Sequence, residues 1–298
     1  MLAEYPAALL SAGRYLAFGL IALPLAWLDR SRLAEFTRAD WLEALKLSAV
    51  GNLLYYLFLA AAIQRAGGPL PTMIIGTLPV VIAVASNLRD GQRDGHLPWR
   101  SLLPSLLLIA TGLALVNHDE MRVLRADPQA DTGAYLLGAL LTLGAVASWT
   151  WYPLRNADWL RAHPGRSPST WATAQGVATL PLGLAAYGGF WIFDAATGSP
   201  IEMPLGPQPG LYLALMFGIG LLASWLGTLC WNEASQRLPT TLVGQLIVFE
   251  TLAALAYAYV LRGRAPEAAT LTGVAVLVAG VWWALRTRSL GPAPASPG

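Results

Sequence analysis

Long runs of apolar residues follow one another along the chain, separated by short connections that contain Gly, Pro or charged residues. A helix needs about 20 apolar residues to cross a hydrocarbon core of about 30 Å, and nine runs approach that length. The alternation of apolar and polar residues that a barrel strand would show is absent. The pattern therefore predicts an all-α polytopic membrane protein. The nine predicted spans are Pro6–Leu28, Trp41–Ile63, Leu70–Leu88, Leu97–Val116, Ala134–Leu154, Thr170–Phe193, Leu211–Ala234, Thr240–Leu261 and Glu267–Leu285.

The composition agrees with a membrane location. Hydrophobic residues make up 55% of the chain and charged residues only 12%, whereas soluble domains carry about 25% charged residues. The net charge of +2 gives no sign of nucleic-acid binding. The single cysteine, Cys230, excludes an internal disulfide. The three histidines lie in separate polar segments, so we expect neither a metal site nor a cofactor.

Basic residues predict the orientation of the spans, because cytoplasmic connections carry an excess of Lys and Arg. Most arginines fall in one alternating set of connections, which includes DRSRLAEFTR and RNADWLRAHPGR. That set should be cytoplasmic, which places the C-terminus inside and, with nine spans, the N-terminus outside. The start, MLAEYPAALLSAGRY, lacks the basic region and small-residue cleavage site of a signal peptide.

Two segments of the chain are similar at a spacing of 172 residues, one starting at Leu57 and the other at Leu229. Gln64-Arg65 aligns with Gln236-Arg237, and Pro79 aligns with Glu250 if one residue is deleted in the turn. The copies run in opposite predicted directions, and an inverted repeat is typical of secondary transporters. Coincidence between low-complexity helices is the alternative. The repeat pairs span one with span six and span two with span seven, and leaves span five without a partner.

The repeat also predicts the domain organisation. Residues 1–116 form a first half of four spans, and residues 117–133 form an outer connecting loop. Residues 134–285 form a second half of five spans, and residues 286–298 form a disordered cytoplasmic tail.

Three segments carry a resemblance to a known family: GNLLYYLFLAAAIQRAGGPLPTMIIGTLPVV, ASWTWYPLRNADWL and GQLIVFETLAALAYAYVL. The chain resembles the EamA-type members of the drug/metabolite transporter superfamily over essentially its whole length, and within them the YddG-type exporters of aromatic and other amino acids. The resemblance implies ten helices in two inverted repeats of five. The first family helix has no counterpart here, which a late start site, a shortened chain or a true nine-span protein would explain. We expect a further span upstream in the natural gene product.

The resemblance also implies a central cavity, which here would be lined by spans two, three, five, seven and eight. Helical spacing selects the faces that could line it. The candidate substrate-binding residues are Asn52, Tyr55, Tyr56, Pro79, Trp149, Tyr152, Trp225, Trp231, Asn232 and Glu250. Each has a structural alternative: polar contacts between helices for the asparagines, an interfacial aromatic belt for the pair in span five, and a static kink rather than a hinge for Pro79.

Two charges, Arg14 and Glu250, lie deep in apolar spans. Charged groups at such depth face the bundle interior or water and pair with another group. They could pair with each other, Glu250 could exchange a proton, or Glu250 could receive the ammonium group of a substrate. The sequence predicts that Glu250 points away from lipid, and it leaves the three uses open.

These features predict a multi-pass transporter of the bacterial inner membrane that exports aromatic and other neutral amino acids by alternating access. The expected partners are the small-molecule substrate and the bilayer, with no nucleic acid, and the chain should act as a monomer. Export of other small metabolites or cationic drugs, with or without proton coupling, is the alternative. A membrane-embedded lipid-modifying enzyme is a remote one, since the chain has neither an H-E-x-x-H nor a G-x-S-x-G motif.

Overall fold

The computed structural model describes residues 5–66, 69–89, 98–116, 132–198, 201–262 and 268–286, and the regular structure in these ranges is helical. The predicted outer loop lies outside the described residues except for its last two, and the predicted tail lies outside them after Arg286. The prediction of an all-α protein is confirmed.

Helices are numbered here in chain order, and two π-helical segments are named separately. The helices are α1 (Ala7–Leu28), α2 (Arg30–Leu33), α3 (Arg38–Leu47), α4 (Tyr55–Ala66), α5 (Pro69–Ile75), α6 (Leu78–Leu88), α7 (Trp99–Val116), α8 (Thr132–Ala162), α9 (Pro168–Thr197), α10 (Pro209–Ile219), α11 (Gly227–Arg237), α12 (Thr240–Leu246), α13 (Val248–Arg262) and α14 (Ala268–Arg286). The first π segment is Ser48–Leu54 and the second is Gly220–Leu226.

All nine predicted spans coincide with helical structure. Six helical stretches of the described residues are long and apolar enough to cross a membrane, and shorter apolar helices cover the remaining three spans. Span five is longer than predicted, because α8 continues through Pro153 to Ala162. The apolar run ends at Leu154, but Arg155 pairs with Glu43 of α3 and so keeps the polar end of the helix attached to the fold.

Contacts divide the chain into two compact units. Unit 1 consists of residues 1–60 and 155–236, and unit 2 consists of residues 61–154 and 237–298. In unit 1, α1 packs lengthwise on α9. A Cβ on Gly19 would lie 2.7 Å from the Cα of Leu180, so glycine is required where these two helices meet. The rings of Tyr5 and Tyr212 stack at 5.2 Å near one end of the unit.

Unit 2 is built on two helix pairs, α7 with α14 and α6 with α12. Gly112 of α7 and Gly273 of α14 face each other so closely that a Cβ on Gly112 would lie 2.8 Å from the carbonyl oxygen of Gly273. Small residues allow helices to approach in this way within a membrane. In each unit, the helices that pack most extensively are partners in the predicted repeat.

The helix distortions also follow the repeat. Each π segment has seven residues, and Gly220 follows Ser48 at the repeat spacing of 172 residues found in the sequence. Span three is interrupted at Gly76-Thr77, and span eight at Ile247, which is the position that aligns with Gly76 once the turn deletion is included. Distortions at equivalent positions support the repeat over coincidence.

Candidate functional site

Arg14 lies inside α1, seven residues after Ala7, which is about 10 Å along the helix axis at about 1.5 Å per residue. Its side chain is half-buried. The guanidinium Nε donates to the hydroxyl of Ser224 at 3.0 Å, and the guanidinium carbon lies 5.6 Å from the centre of the Tyr15 ring. Because Ser224 belongs to the second π segment, a polar contact joins span one to span seven within the apolar part of unit 1.

Tyr56, one of the predicted substrate-binding residues, lies close to this contact. The Tyr56 hydroxyl hydrogen-bonds with the side chain of Ser11, and it interacts electrostatically with the guanidinium of Arg14. Ser11 and Tyr56 also line a cavity of about 440 Å³ in unit 1 whose remaining walls are apolar and include Phe190. The structure therefore gathers a cation, hydroxyl groups and an apolar cavity around one region of α1.

A buried polar network holds the inside of unit 1 together. The side-chain nitrogen Nδ2 of Asn156 donates to the side-chain oxygen Oδ1 of Asn232 at 2.9 Å. The side-chain oxygen Oδ1 of Asn156 accepts from Trp171 Nε1 at 2.8 Å and from Gln175 Nε2 at 3.1 Å. Both asparagines are fully buried. Asn232 thus has a packing partner inside the protein, and its predicted contact with substrate stays a prediction.

The network extends towards the two π segments. The Ser48 hydroxyl donates to the backbone carbonyl oxygen of Gln175 at 3.0 Å. The Thr179 hydroxyl donates in turn to the Ser48 hydroxyl oxygen at 2.9 Å. The indole of Trp225 donates to Thr173 at 3.1 Å. Each π segment is therefore bonded to α9 through a side chain of its own.

The other candidates of unit 1 occupy intermediate positions. Asn52 lies in the first π segment, Tyr55 begins α4, and Trp231 lies in α11. All three are partly buried, so each is accessible enough to meet a ligand. The structure places Asn52 and Ser224 at equivalent positions of the repeat, 172 residues apart.

Unit 2 holds the remaining candidates. Trp149 and Tyr152 contact each other in α8 with ring centres 5.9 Å apart. Pro79 is buried in the first turn of α6, directly after the interruption of span three. Glu250 lies in the first turn of α13, directly after the interruption of span eight, and its side chain is exposed. Whether it faces a cavity or lipid, and whether it meets Arg14, stay open predictions.

Charge pairs fix the polar end of α8 within unit 1. Arg155 donates from Nε and Nη2 to both oxygens of Glu43 in α3, a bidentate geometry. Trp159 Nε1 donates to Asp40 at 3.0 Å, and Asp40 also caps the start of α3 together with Thr37. These contacts explain why the helix extends beyond the apolar run that defined the predicted span.

Sequence reasoning missed most of the network partners. Gln175 and Thr173 lie in span six, which is not among the spans expected to line the cavity, and Ser224 is not among the candidate substrate-binding residues. Gln175 did carry a signal, since a polar amide inside an apolar span must find a hydrogen-bond partner. Within the described ranges, no group of three His, Cys, Asp or Glu side chains is arranged to hold a metal ion.

Comparisons with known proteins place this arrangement in a family. Residues 1–118 match the EamA-like transporter family. The chain is 52% identical to the inner membrane protein YtfF of Escherichia coli (strain K12) over 292 residues, which cover 97% of this chain and 89% of that protein. A solved crystal structure shares the fold, with a TM-score of 0.68 at 19% identity over 97% of this chain and 90% of that one.

The relative's location and the six long apolar helices together make this chain a multi-pass protein of the inner membrane. The resemblance found in the sequence is confirmed at the level of the family. The chain belongs to the EamA-like transporter family.

Proposed function

We propose that the chain exports aromatic and other neutral amino acids across the inner membrane by alternating access. The observation that carries this proposal is the recurrence of helix distortions at equivalent positions of the repeat: π segments in spans two and seven, and interruptions in spans three and eight. Transporters built from inverted repeats bind substrate near the midplane where helices are distorted, and move by rocking one part against another. The distorted spans carry most of the candidate residues.

The side chains of these spans support small amphipathic substrates. Tyr55, Tyr56 and Trp225 offer aromatic surface together with polar tips. Few charges lie deep in the apolar spans, one positive at Arg14 and one negative at Glu250, and so few charges suit a substrate without net charge. A nucleotide sugar would need several cations instead. The charge balance favours zwitterions over multiply charged substrates.

Counterflow in proteoliposomes tests the proposal. Vesicles loaded with one unlabelled amino acid should accumulate the labelled form when they contain the protein, and aromatic and neutral amino acids should exchange faster than glutamate or lysine. Protein-free vesicles and a labelled sugar serve as controls. Equal accumulation with and without the protein across the whole panel would reject amino-acid export.

Cationic drugs are the second candidate, and the exposed carboxylate of Glu250 favours them, because a carboxylate in an apolar span attracts a cation. Exchange of a lipophilic cation, with no exchange of amino acids, would support this candidate. Chemical analysis of the recovered labelled compound distinguishes an enzyme from a transporter, because a transporter leaves the compound chemically unchanged.

The proposal includes a cytoplasmic C-terminus and a monomeric state. A cysteine added after the last residue of a Cys230→Ser chain should react with a membrane-impermeant maleimide only in inverted vesicles; Cys230 must be replaced because it is exposed. Light scattering of the detergent-solubilised protein should give the mass of one chain. Labelling from the outer side, or a dimer mass, would contradict these parts of the proposal.

A further inference from the structure

The position of Arg14 is costly for a cation. It lies well inside α1, a helix of 22 residues, and the side chains around it, Ser11, Tyr15 and Ser224, are each no more than 8% exposed. A guanidinium at such depth requires a partner that compensates its charge, or access to water. Ser224 provides a hydrogen bond but no charge.

Among the residues that the structure describes, no carboxylate oxygen lies within 4.0 Å of Arg14. Two other arginines of unit 1 are paired with carboxylates, Arg155 with Glu43 and Arg166 with Glu35. Arg14, which lies inside an apolar helix, has no such partner in the described part of the chain, and an anionic ligand would compensate its charge.

The guanidinium keeps donors for such a ligand. Its Nε is held by Ser224 at 3.0 Å, and its two terminal amino groups, with four N–H donors, have no hydrogen-bond partner among the described residues. Terminal amino groups in one plane match the two oxygens of a carboxylate, and the bidentate pair is stronger and more directional than a contact with a lysine ammonium.

The second π segment brings Ser224 to this place. Gly220 lies against α1, where a Cβ would come within 3.1 Å of the backbone nitrogen of Phe18. Ser224 follows four residues later in the wide π turn and is buried. π-helical turns occur frequently at functional sites, and this one fixes the direction of the guanidinium through a hydrogen bond that an ordinary packing contact would not supply.

We propose that Arg14 binds the carboxylate of the transported substrate and that Ser224 is the positioning residue that directs its guanidinium. The inference rests on the proposed function for the substrate being an amino acid, but the carboxylate requirement comes from the geometry around Arg14. It assigns to Arg14 a contact that discriminates acids from their uncharged analogues.

Binding of matched acids and amides tests the assignment. Dissociation constants are measured by calorimetry on the purified full chain for phenylalanine and phenylalaninamide, and for 4-methylpentanoate and its amide. Since a hydrogen bond to a charged group is worth about 1.5–3 kcal/mol, the wild type should bind each acid at least about tenfold more tightly than its amide. The ratio should fall to about one in Arg14→Gln, because the group that distinguishes the two ligands is gone.

Two further variants keep the test valid if Arg14→Gln folds poorly. Arg14→Lys keeps the charge but loses the planar fork, so the ratio should decrease only partly. Ser224→Ala frees Nε, and the ratio should decrease by about threefold, in the range of one neutral hydrogen bond. Arg30→Gln is the matched control: Arg30 is exposed at the start of α2 and contacts Trp27 through its backbone carbonyl and its ring, so the ratio should not change.

The outcomes separate this inference from the proposed function. A wild-type chain that shows no preference for either acid, or a folded Arg14→Gln chain that keeps the preference, overturns the carboxylate site even if amino acids are transported. The wild-type chain could bind 4-methylpentanoate in an Arg14-dependent way and fail to bind phenylalanine. This result would support the carboxylate site and count against amino-acid export.

Discussion

Spans two and seven have the same backbone distortion but use it differently. Both contain a π segment of seven residues, offset by the repeat spacing of 172 residues. At equivalent positions, the first segment carries the half-buried Asn52, and the second carries the buried Ser224 that holds Arg14. The backbone is conserved between the copies of the repeat while the side chains have diverged.

The same contrast continues along the helices that follow. Ala60 in α4 lines the 440 Å³ cavity, whereas Asn232, at the equivalent position of α11, is fully buried and bonded to Asn156. The two copies thus share a backbone geometry, while one opens onto a cavity and the other is bonded inside the protein. Under the proposed function, the shared distortion would serve movement and the differing side chains would serve recognition.

Removing one residue from a π segment should have the largest effect. Deletion of Leu222, which is exposed in the second segment, should return the wide turn to an α-turn and so remove the distortion from span seven while the helix continues. Counterflow should fall to the level of protein-free vesicles while circular dichroism still shows a helical protein. Deletion of Val50, the equivalent residue of the first segment, is the matched comparison.

If the distortion itself is needed, both deletions should abolish transport. Loss in the Leu222 deletion alone would instead assign the effect to Ser224 and its side-chain contact. Wild-type counterflow in both deletions would contradict a role for either π segment.

Replacing Asn232 with Ala, the residue at the equivalent position of the first copy, should destabilise the protein. The substitution leaves the buried amide of Asn156 without its acceptor, which costs about 1–3 kcal/mol. Thermal unfolding in detergent should show a transition several degrees below that of the wild type, about 4 °C or less per kcal/mol for a chain of this size.

The reverse substitution, Ala60→Asn, sharpens the comparison. Ala60 lines a cavity and is only partly buried, so the new side chain has room, and the unfolding temperature should change by less than in Asn232→Ala. Equal losses in the two variants would mean that the two helices are packed alike, against the contrast drawn from the structure.

Glu250→Gln should have the smallest of these effects. Pro79 and Glu250 are repeat equivalents that each follow a helix interruption, but only Glu250 carries a charge. If this carboxylate exchanges a proton or binds a substrate ammonium, uptake in proteoliposomes should fall several-fold. Glu202→Gln, which removes an exposed carboxylate outside the helices, is the control. Unchanged uptake of Glu250→Gln would leave only a structural role.

Much of the fold could be predicted because the membrane constrains the composition and length of each spanning segment separately. A span must satisfy its own backbone hydrogen bonds and must be apolar over a fixed length, so hydropathy alone located all nine spans. The prediction for span five ended too early, since the charged residues after Leu154 lie on a helix that α3 and the Arg155–Glu43 pair retain. The candidate site was predicted less fully, because hydropathy does not report which polar residues meet.

The sequence by itself determined the helical class, the spans and the repeat spacing, because each depends on composition or periodicity along the chain, and three of its segments carried the resemblance to the family. Only the tertiary structure decided that Arg14 meets Ser224, 210 residues away, and that Asn156 meets Asn232. It also decided where helices widen or break, since Gly76, Thr77 and Ile247 differ little from residues of an ordinary span. The physical reason is that apolar helices tolerate many neighbours, and the choice among them is made by packing between distant segments.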